Sequence, residues 1–344
     1  MSGAVRFALG LGLAGVIAGV ALWVGKDPVD ADGTAGDGGA AALTAQGGAQ
    51  PPVFTSSRQC KGCHAELYAE WEASHHAISY TNPEVRKLSD DFAQKECRTC
   101  HLPVPILVSG VGQRTIFRQE RPDEGVDCLS CHLDPQGRIA GRHASDKGCM
   151  PVASADSVKV ELCESCHNQH LTTDQWRASR FAKDGVTCNT CHMPEVERAG
   201  GRKGLDHRWL GAHDLATLKK GGELRVERKD DRLAVEFENV GCGHNFPTEE
   251  RHRAVDIVWR VVAPDGLDKP GAELAFTRLY RFRQPYRGDP GPNTQLPAGE
   301  TWKGEIPVPA DGAGKVLQVR LLYKLTPFVE DDDASVLDER RFEL

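Results

Sequence analysis

Apolar residues are laid out along this chain in three different ways. From 7 to 24 they form an unbroken run, FALGLGLAGVIAGVALWV. From about 54 to 221 they are sparse and irregular, interrupted by Gly, Pro and Asp, which reads as short helical pieces joined by loops. The clearest helical piece is AELYAEWEAS, made of good helix formers. It places Leu67, Trp71 and His75 on one face and Tyr68, Glu72 and His76 on the next. From 222 onward the period changes to two. LRVERKDDRLAVEFENV alternates around a charged turn and predicts a hairpin. AVDIVWRVV, a turn at APDG, ELAFTRLYRF and KVLQVRLLYKL predict further strands. The expected fold class is α+β: a mainly helical, loop-rich domain over 54–221, then a β-sandwich-like domain over 222–344.

The opening run is 18 residues long, with Arg6 before it and Lys26, Asp27, Asp30 and Asp32 after it. That length suits a short membrane-spanning helix, with the early positive charge on the N-terminal side. We therefore read 1–27 as a signal anchor in the inner membrane, with a cleaved signal peptide as the rival. Both send the remainder out of the cytoplasm, to the periplasmic side or beyond. Residues 28–53, rich in Gly and Ala, are expected to form a flexible tether.

The chemistry lies in a motif repeated across 54–221. Cys60, Cys63 and His64 form C-x-x-C-H; so do Cys97, Cys100 and His101, Cys128, Cys131 and His132, Cys163, Cys166 and His167, and Cys188, Cys191 and His192. Successive motif histidines are 25 to 37 residues apart. C-x-x-C alone also suits zinc or iron–sulfur ligation. Histidine, however, is only 13 of 344 residues. Five pairs each followed at once by His would arise by chance with odds on the order of one in ten million, whereas this is the attachment signature of c-type haem. The thiols bond the haem vinyl groups and the histidine becomes the proximal iron ligand. Five covalent haems c are expected.

Composition then gains a meaning. Aromatics are 6 % of the chain and mean hydropathy is negative, so side chains alone give 54–221 a thin core. Porphyrin must supply much of the apolar surface, and that half should not fold without it. The formal charge is −7, and haem propionates add to it. The balance argues against nucleic acid and for a basic or mixed-charge redox partner protein.

Eight histidines remain: His75, His76, His143, His170, His207, His213, His244 and His252. Five would give every iron a second imidazole, the closed coordination suited to electron transfer. The sequence resembles the cytochrome c-554 type of multihaem cytochromes, related in haem packing to hydroxylamine oxidoreductase, over roughly residues 55–260. The resemblance rests on W-x-x-S-x-H-A after the first motif (Trp71, Ser74, His76, Ala77), on GVDCLSCH with GRHA downstream, on QWRASRFAKDGVTCNTCHMP, on DHRWLGAHD and on GHNFPT. It implies His76, His143, His207, His213 and His244 as distal ligands, with His75 a bystander. Helical geometry by itself does not choose between His75 and His76. His170 is the substitute ligand, and His252, among charges, reads as a surface residue. Where the family's GHxFPT continues with Gly, this chain has Glu249. Cys149 and Cys242 stand outside the motifs, and a disulfide between them is the economical expectation in an oxidising compartment.

The leading functional reading is an electron carrier, taking electrons from a quinol-oxidising membrane complex or another cytochrome. The rival is an oxidoreductase with one open haem, acting on a small nitrogen or sulfur compound. In its favour, the second W-x-x-S segment continues Ser179-Arg180-Phe181 and brings no histidine, and Arg177, Arg180 and Lys183 are cationic candidates nearby. A third reading makes the β domain a docking module for a partner subunit.

Overall fold

The computed structural model describes residues 52–248, 253–267, 275–285 and 291–344. The expected anchor, nearly all of the tether, Glu249 and His252 lie outside these. Among the described residues no helix is long and apolar enough to cross a membrane.

The haem-motif region is a chain of short helices: α1 (Ala65–Glu72), α2 (Pro83–Leu88), α3 (Lys95–His101), α4 (Ile106–Ser109), α5 (Cys128–His132), α6 (Val160–His167), α7 (Thr172–Ala178), α8 (Arg180–Lys183) and α9 (Cys188–His192). Four of them contain a motif, and the first motif starts with Cys60 in the helical turn Ser57–Gly62 and ends with Cys63 and His64 at the entry to α1. One helical turn brings positions i, i+3 and i+4 to one side, so each motif presents two thiols and an imidazole together. The starts are written just ahead of the motifs. Asp127 caps α5, its Oδ1 accepting from Ser130 N at 2.7 Å while Ser130 Oγ accepts from Asp127 N at 3.1 Å. At α9, Thr190 Oγ1 accepts from Thr187 N at 3.2 Å. Small sheet fragments fill the gaps: β1 (Ala140–Gly141) beside β2 (Val152–Ala153), and the hairpin β3 (Glu195–Arg198) with β4 (Arg202–Leu205). The side-chain core here is small, a cluster of Tyr68, Trp71 and Ala77 with Trp209 packed against it.

After α10 (Leu215–Gly221) come two antiparallel sheets. One has the order β5-β6-β9, from Glu223–Lys229, Arg232–Glu238 and Thr301–Pro307. The other has the order β11-β10-β7-β8, from Ser335–Glu343, Val316–Lys324, Ala254–Val262 and Thr277–Arg283. One core joins them: Leu224, Leu233, Phe237 and Ile306 from the first sheet meet Ile257, Phe282, Leu317 and Leu321 from the second. This is sandwich packing, in which each sheet hides one face against the other. The central strands β7 and β10 are buried almost throughout. Their buried polar positions are paired, Asp256 with Arg281 (2.7 and 2.6 Å) and Arg260 with Gln318 (2.8 Å).

The predicted hairpin and the strands at 254–262 and 316–324 are present. Strands β9 and β11 and the hairpin β3–β4 escaped the pattern reading. β9 is interrupted by Gly304 and ends at Pro307, and β11 carries charges on both faces, so neither shows a clean apolar alternation.

Candidate haem-binding site

The folded chain gathers the five motifs into one connected cluster. The thiol of Cys60 lies beside that of Cys128. Cys100 likewise meets Cys166, and Cys163 meets Cys188. Cys131 is close enough to Cys163 and Cys166 to act on both electrostatically. Thus motif one touches three, three lies beside four, and four touches both two and five. The hydrogen bond from Cys166 lowers Cys100 to about 6, whereas burial pushes Cys131 up to about 12.

The imidazoles are oriented from behind. His101 Nδ1 lies 2.8 Å from Ser79 O, His132 Nδ1 2.8 Å from Ala140 O and His192 Nδ1 2.5 Å from Leu210 O. Among the candidate distal residues, His207 Nδ1 is 2.8 Å from Leu205 O and His244 Nδ1 2.9 Å from Asn245 O. A carbonyl can only accept, so in the neutral form each of these rings carries its proton on Nδ1 and its lone pair on Nε2, the tautomer a metal-ligating histidine adopts.

Two histidine pairs are spaced for a shared ion. His76 faces the motif residue His167 with ring centres 6.0 Å apart, and His244 faces His192 at 6.2 Å with planes 13° apart. Two imidazoles on opposite sides of one metal, each bonded at about 2 Å, have ring centres roughly 6 Å apart. His207 is placed near His132 and against Trp209, which also packs edge-on against His76 at 4.5 Å. Burial, reinforced by His167, His101 and His75, lowers His76 to about 3, so its ring is neutral and available as a donor. Its Nδ1 is buried with no protein partner, as is Nδ1 of His170.

Other expected residues are placed differently. His213 stacks on His75 with centres 3.5 Å apart and planes 19° apart. Both residues are exposed overall, but the stacked ring of His213 is partly desolvated, which together with His75 and Arg253 lowers it to about 4. His143 is exposed on the loop before β2. Cys149 and Cys242 are both free thiols, which corrects the expected disulfide. Cys149 acts on Cys60 and Cys242 is acted on by Cys191, so they attend different motifs. Of the cationic candidates, Arg177 is held by Glu164 and Asp174, and Arg180 lies over the Phe181 ring and donates to Val240 O at 3.0 Å.

The two W-x-x-S segments noted in the sequence form one turn used twice, closed by hydrogen bonds that the sequence reading missed. Trp71 Nε1 donates to Val126 O, and Trp176 Nε1 donates to Val186 O, both at 2.8 Å. Val126 N donates to His76 O and Val186 N to Phe181 O, both at 2.9 Å. Each tryptophan helix is thereby latched two residues ahead of a motif, and His76 and Phe181 occupy the same place. The signal was present as W-x-x-S paired with G-V-x-C, but Trp71 and Val126 are 55 residues apart against 10 for Trp176 and Val186, which hides the repeat.

The β domain reaches this cluster through the loop carrying His244. Buried Asn239 staples that loop, donating to His244 O (2.9 Å) and Leu296 O (3.0 Å) and accepting from Cys242 N (3.1 Å). Gln175 of α7 accepts from Asn245 N at 3.1 Å and from Thr248 Oγ1 at 3.0 Å.

Thiol pairs adjoining imidazoles, rings oriented through Nδ1 and histidine pairs with ring centres about 6 Å apart form a donor set that fits haem c. Comparison with known proteins agrees. Residues 59–133 match the family model described as cytochrome c554 and c-prime. A cytochrome c-552 from Haemophilus influenzae is 23% identical over a stretch covering 46% of this chain and 31% of that protein, so the chain matches about a third of that relative's length. A penta-heme cytochrome c552 from Thermochromatium tepidum shares the fold, with a TM-score of 0.59 at 20% identity over 84% of this chain and 99% of that one. The chain is a multihaem c-type cytochrome.

Proposed function

We propose that this protein is a five-haem electron carrier working outside the cytoplasm, receiving electrons from a quinol-oxidising membrane complex or another cytochrome and passing them on. The observation that carries this reading is the continuity of the motif cluster together with the two histidine pairs spaced for a shared ion. Each bound haem supplies an iron that alternates between Fe(III) and Fe(II). The chain does the rest. Its five C-x-x-C-H turns would hold one haem each, motif one next to three, and motif four next to two, three and five. His64, His101, His132, His167 and His192 serve as proximal ligands. His76, His207 and His244 would serve as second ligands to irons, and His143 and His213 would complete the set that the resemblance implies. For His213 to take an iron, its stack on His75 has to open. Closed coordination keeps the ligand set constant through the redox change, which suits transfer rather than substrate binding. The run at 7–24 would hold the carrier at the inner membrane, and residues 28–53 would set its reach.

The test is a low-temperature electron paramagnetic resonance spectrum of the air-oxidised protein with haem quantified on the same sample. Five haems per chain and low-spin signals throughout support the carrier. A stoichiometric high-spin signal that shifts on adding nitrite or hydroxylamine replaces it with a catalyst bearing one open iron.

A further inference from the structure

We propose that the Glu70–Arg198 ion pair is a positioning device for His207, fixing that imidazole for its iron and tuning the potential of that haem. The inference rests on the reading of His207 as an axial ligand and adds two residues that the haem motifs do not contain.

Arg198 ends β3, in the hairpin that leads into His207, and Glu70 belongs to α1, directly after the first motif. Arg198 grips Glu70 with two bonds, Nε to Oε1 at 2.9 Å and Nη2 to Oε2 at 2.6 Å. The fork geometry fixes direction as well as distance. Each partner then holds His207 by a different handle. Glu70 Oε2 accepts the backbone N–H of His207 at 2.9 Å. Arg198 Nη2 donates at 2.7 Å to Leu205 O, the same carbonyl that lies 2.8 Å from His207 Nδ1. A carbonyl oxygen has two lone pairs, so it serves both. Main chain and ring of His207 are therefore both set by one ion pair whose side chains are 9% and 18% exposed. Gly204 is part of the device. A Cβ there would lie 2.7 Å from Arg198 Nη1, so a side chain would push the guanidinium out of place.

The two charges act on the ligand with opposite sign. The guanidinium draws density from Leu205 O, weakens that carbonyl's pull on the Nδ1 proton and places positive charge nearby. Both effects disfavour Fe(III) and raise the potential. The Glu70 carboxylate, 3.8 Å from His207 Nδ1, does the reverse.

The experiment uses holoprotein of Arg198→Met, Arg198→Lys, Glu70→Gln, Gly204→Ala and, as reference, His207→Met. Spectroelectrochemical titration and paramagnetic resonance are read for each, with thermal unfolding alongside. We expect His207→Met to alter one haem. On that same haem Arg198→Met moves the midpoint potential down and Glu70→Gln moves it up, while Arg198→Lys restores part of the Arg198→Met shift. The remaining haems act as internal controls. If Arg198→Met does not load haem, Arg198→Lys and Gly204→Ala give the same reading, each with a smaller downward shift. The proposal is overturned if His207→Met changes one haem but the pair variants lower thermal stability without moving that haem's potential or spectrum. If His207→Met leaves every haem as in the wild type, the ligand assignment itself fails, and the proposal falls with it.

Discussion

At the scale of single residues, two adjacent histidines have separate fates because a helix stops. Helix α1 ends at Glu72, with Ala73 as its cap, so His75 and His76 lie in the turns beyond it rather than on helical faces. His76 turns inward toward His167, while His75 stays exposed and stacks on His213. Replacing His76 by Ala should therefore change the spin state or potential of one haem, and replacing His75 by Ala should leave the oxidised spectrum as it is. Resonance spectra of the two variants side by side check this. If the effects are exchanged, the assignment of His76 is wrong. Glycine gives a second residue-scale contrast. Gly125 and Gly185 occupy equivalent places in the two tryptophan turns, with φ of +51° and +72°. A Cβ on Gly125 would come within 2.4 Å of His76 O, whereas one on Gly185 meets nothing within 4 Å. Gly185→Ala should cost about 1–2 kcal/mol, the penalty of the left-handed conformation alone. Gly125→Ala should cost well over about 3 kcal/mol, because backbone must also move. Chemical denaturation of the holoproteins checks the ranking.

At the scale of elements, the helices of the haem region are too short to be stable by themselves. They are held by caps, by latches and by the groups they bind. The Trp71 and Trp176 latches fasten α1 and α7 to the segments that start α5 and α9. Trp71→Phe keeps the ring but strands the carbonyl of Val126, a loss of about 1–3 kcal/mol. The expected outcome is faster release of unfolded material under denaturant and a perturbed environment for the haem of the third motif, read from its absorbance. Trp176→Phe should do the same for the fifth motif and leave the third alone. Much of this level could be read in advance: the C-x-x-C-H turns, the helix after the first motif and the hairpin from 223 to 238 all carry local signals. That Phe181 stands in the second W-x-x-S segment where His76 stands in the first could be read as well, but the hydrogen bonds that make the two turns equivalent could not. Equivalence there is defined by hydrogen bonds across loops of very different length.

At the scale of the whole molecule, the two halves gain stability from different sources. The β sandwich has a continuous apolar core spanning both sheets, whereas the buried apolar side chains of the haem region are a small cluster around Tyr68, Trp71 and Ala77 and scattered residues such as Phe92, Leu102, Ile106 and Leu129. Chain produced without haem attachment should keep protected amides in β7 and β10 and show rapid exchange across 54–221, measured by hydrogen exchange. Protection across the haem region in such material would show that porphyrin is not its core. The sandwich also has an acid limit. Burial alone would raise the Glu339 carboxyl, but bonds from Arg320, Arg341 and Gln318 outweigh that and hold it below its ordinary value. A depressed carboxylate stabilises the fold above its unfolded pKa and loses that contribution as pH falls through the folded one. Stability of the β domain should therefore drop below about pH 4, and Glu339→Gln should flatten that part of the profile in denaturation midpoints taken across pH.

The sequence by itself determined the chemistry of attachment. A haem motif is five contiguous residues, and one helical turn suffices to bring its donors together, so nothing distant is needed to recognise it. The same locality made the strong strands and the division in hydrophobic pattern near residue 222 legible. Only the tertiary structure decided which histidine faces which. The partners His76 and His167, or His192 and His244, lie far apart in the chain, and a ring's direction depends on the carbonyl behind it. It also decided that Cys149 and Cys242 attend different motifs, and that Glu70 and Arg198 converge on His207. Each of these is a meeting of side chains brought together by the path of loops, and loop paths are set by packing that no short stretch of sequence contains.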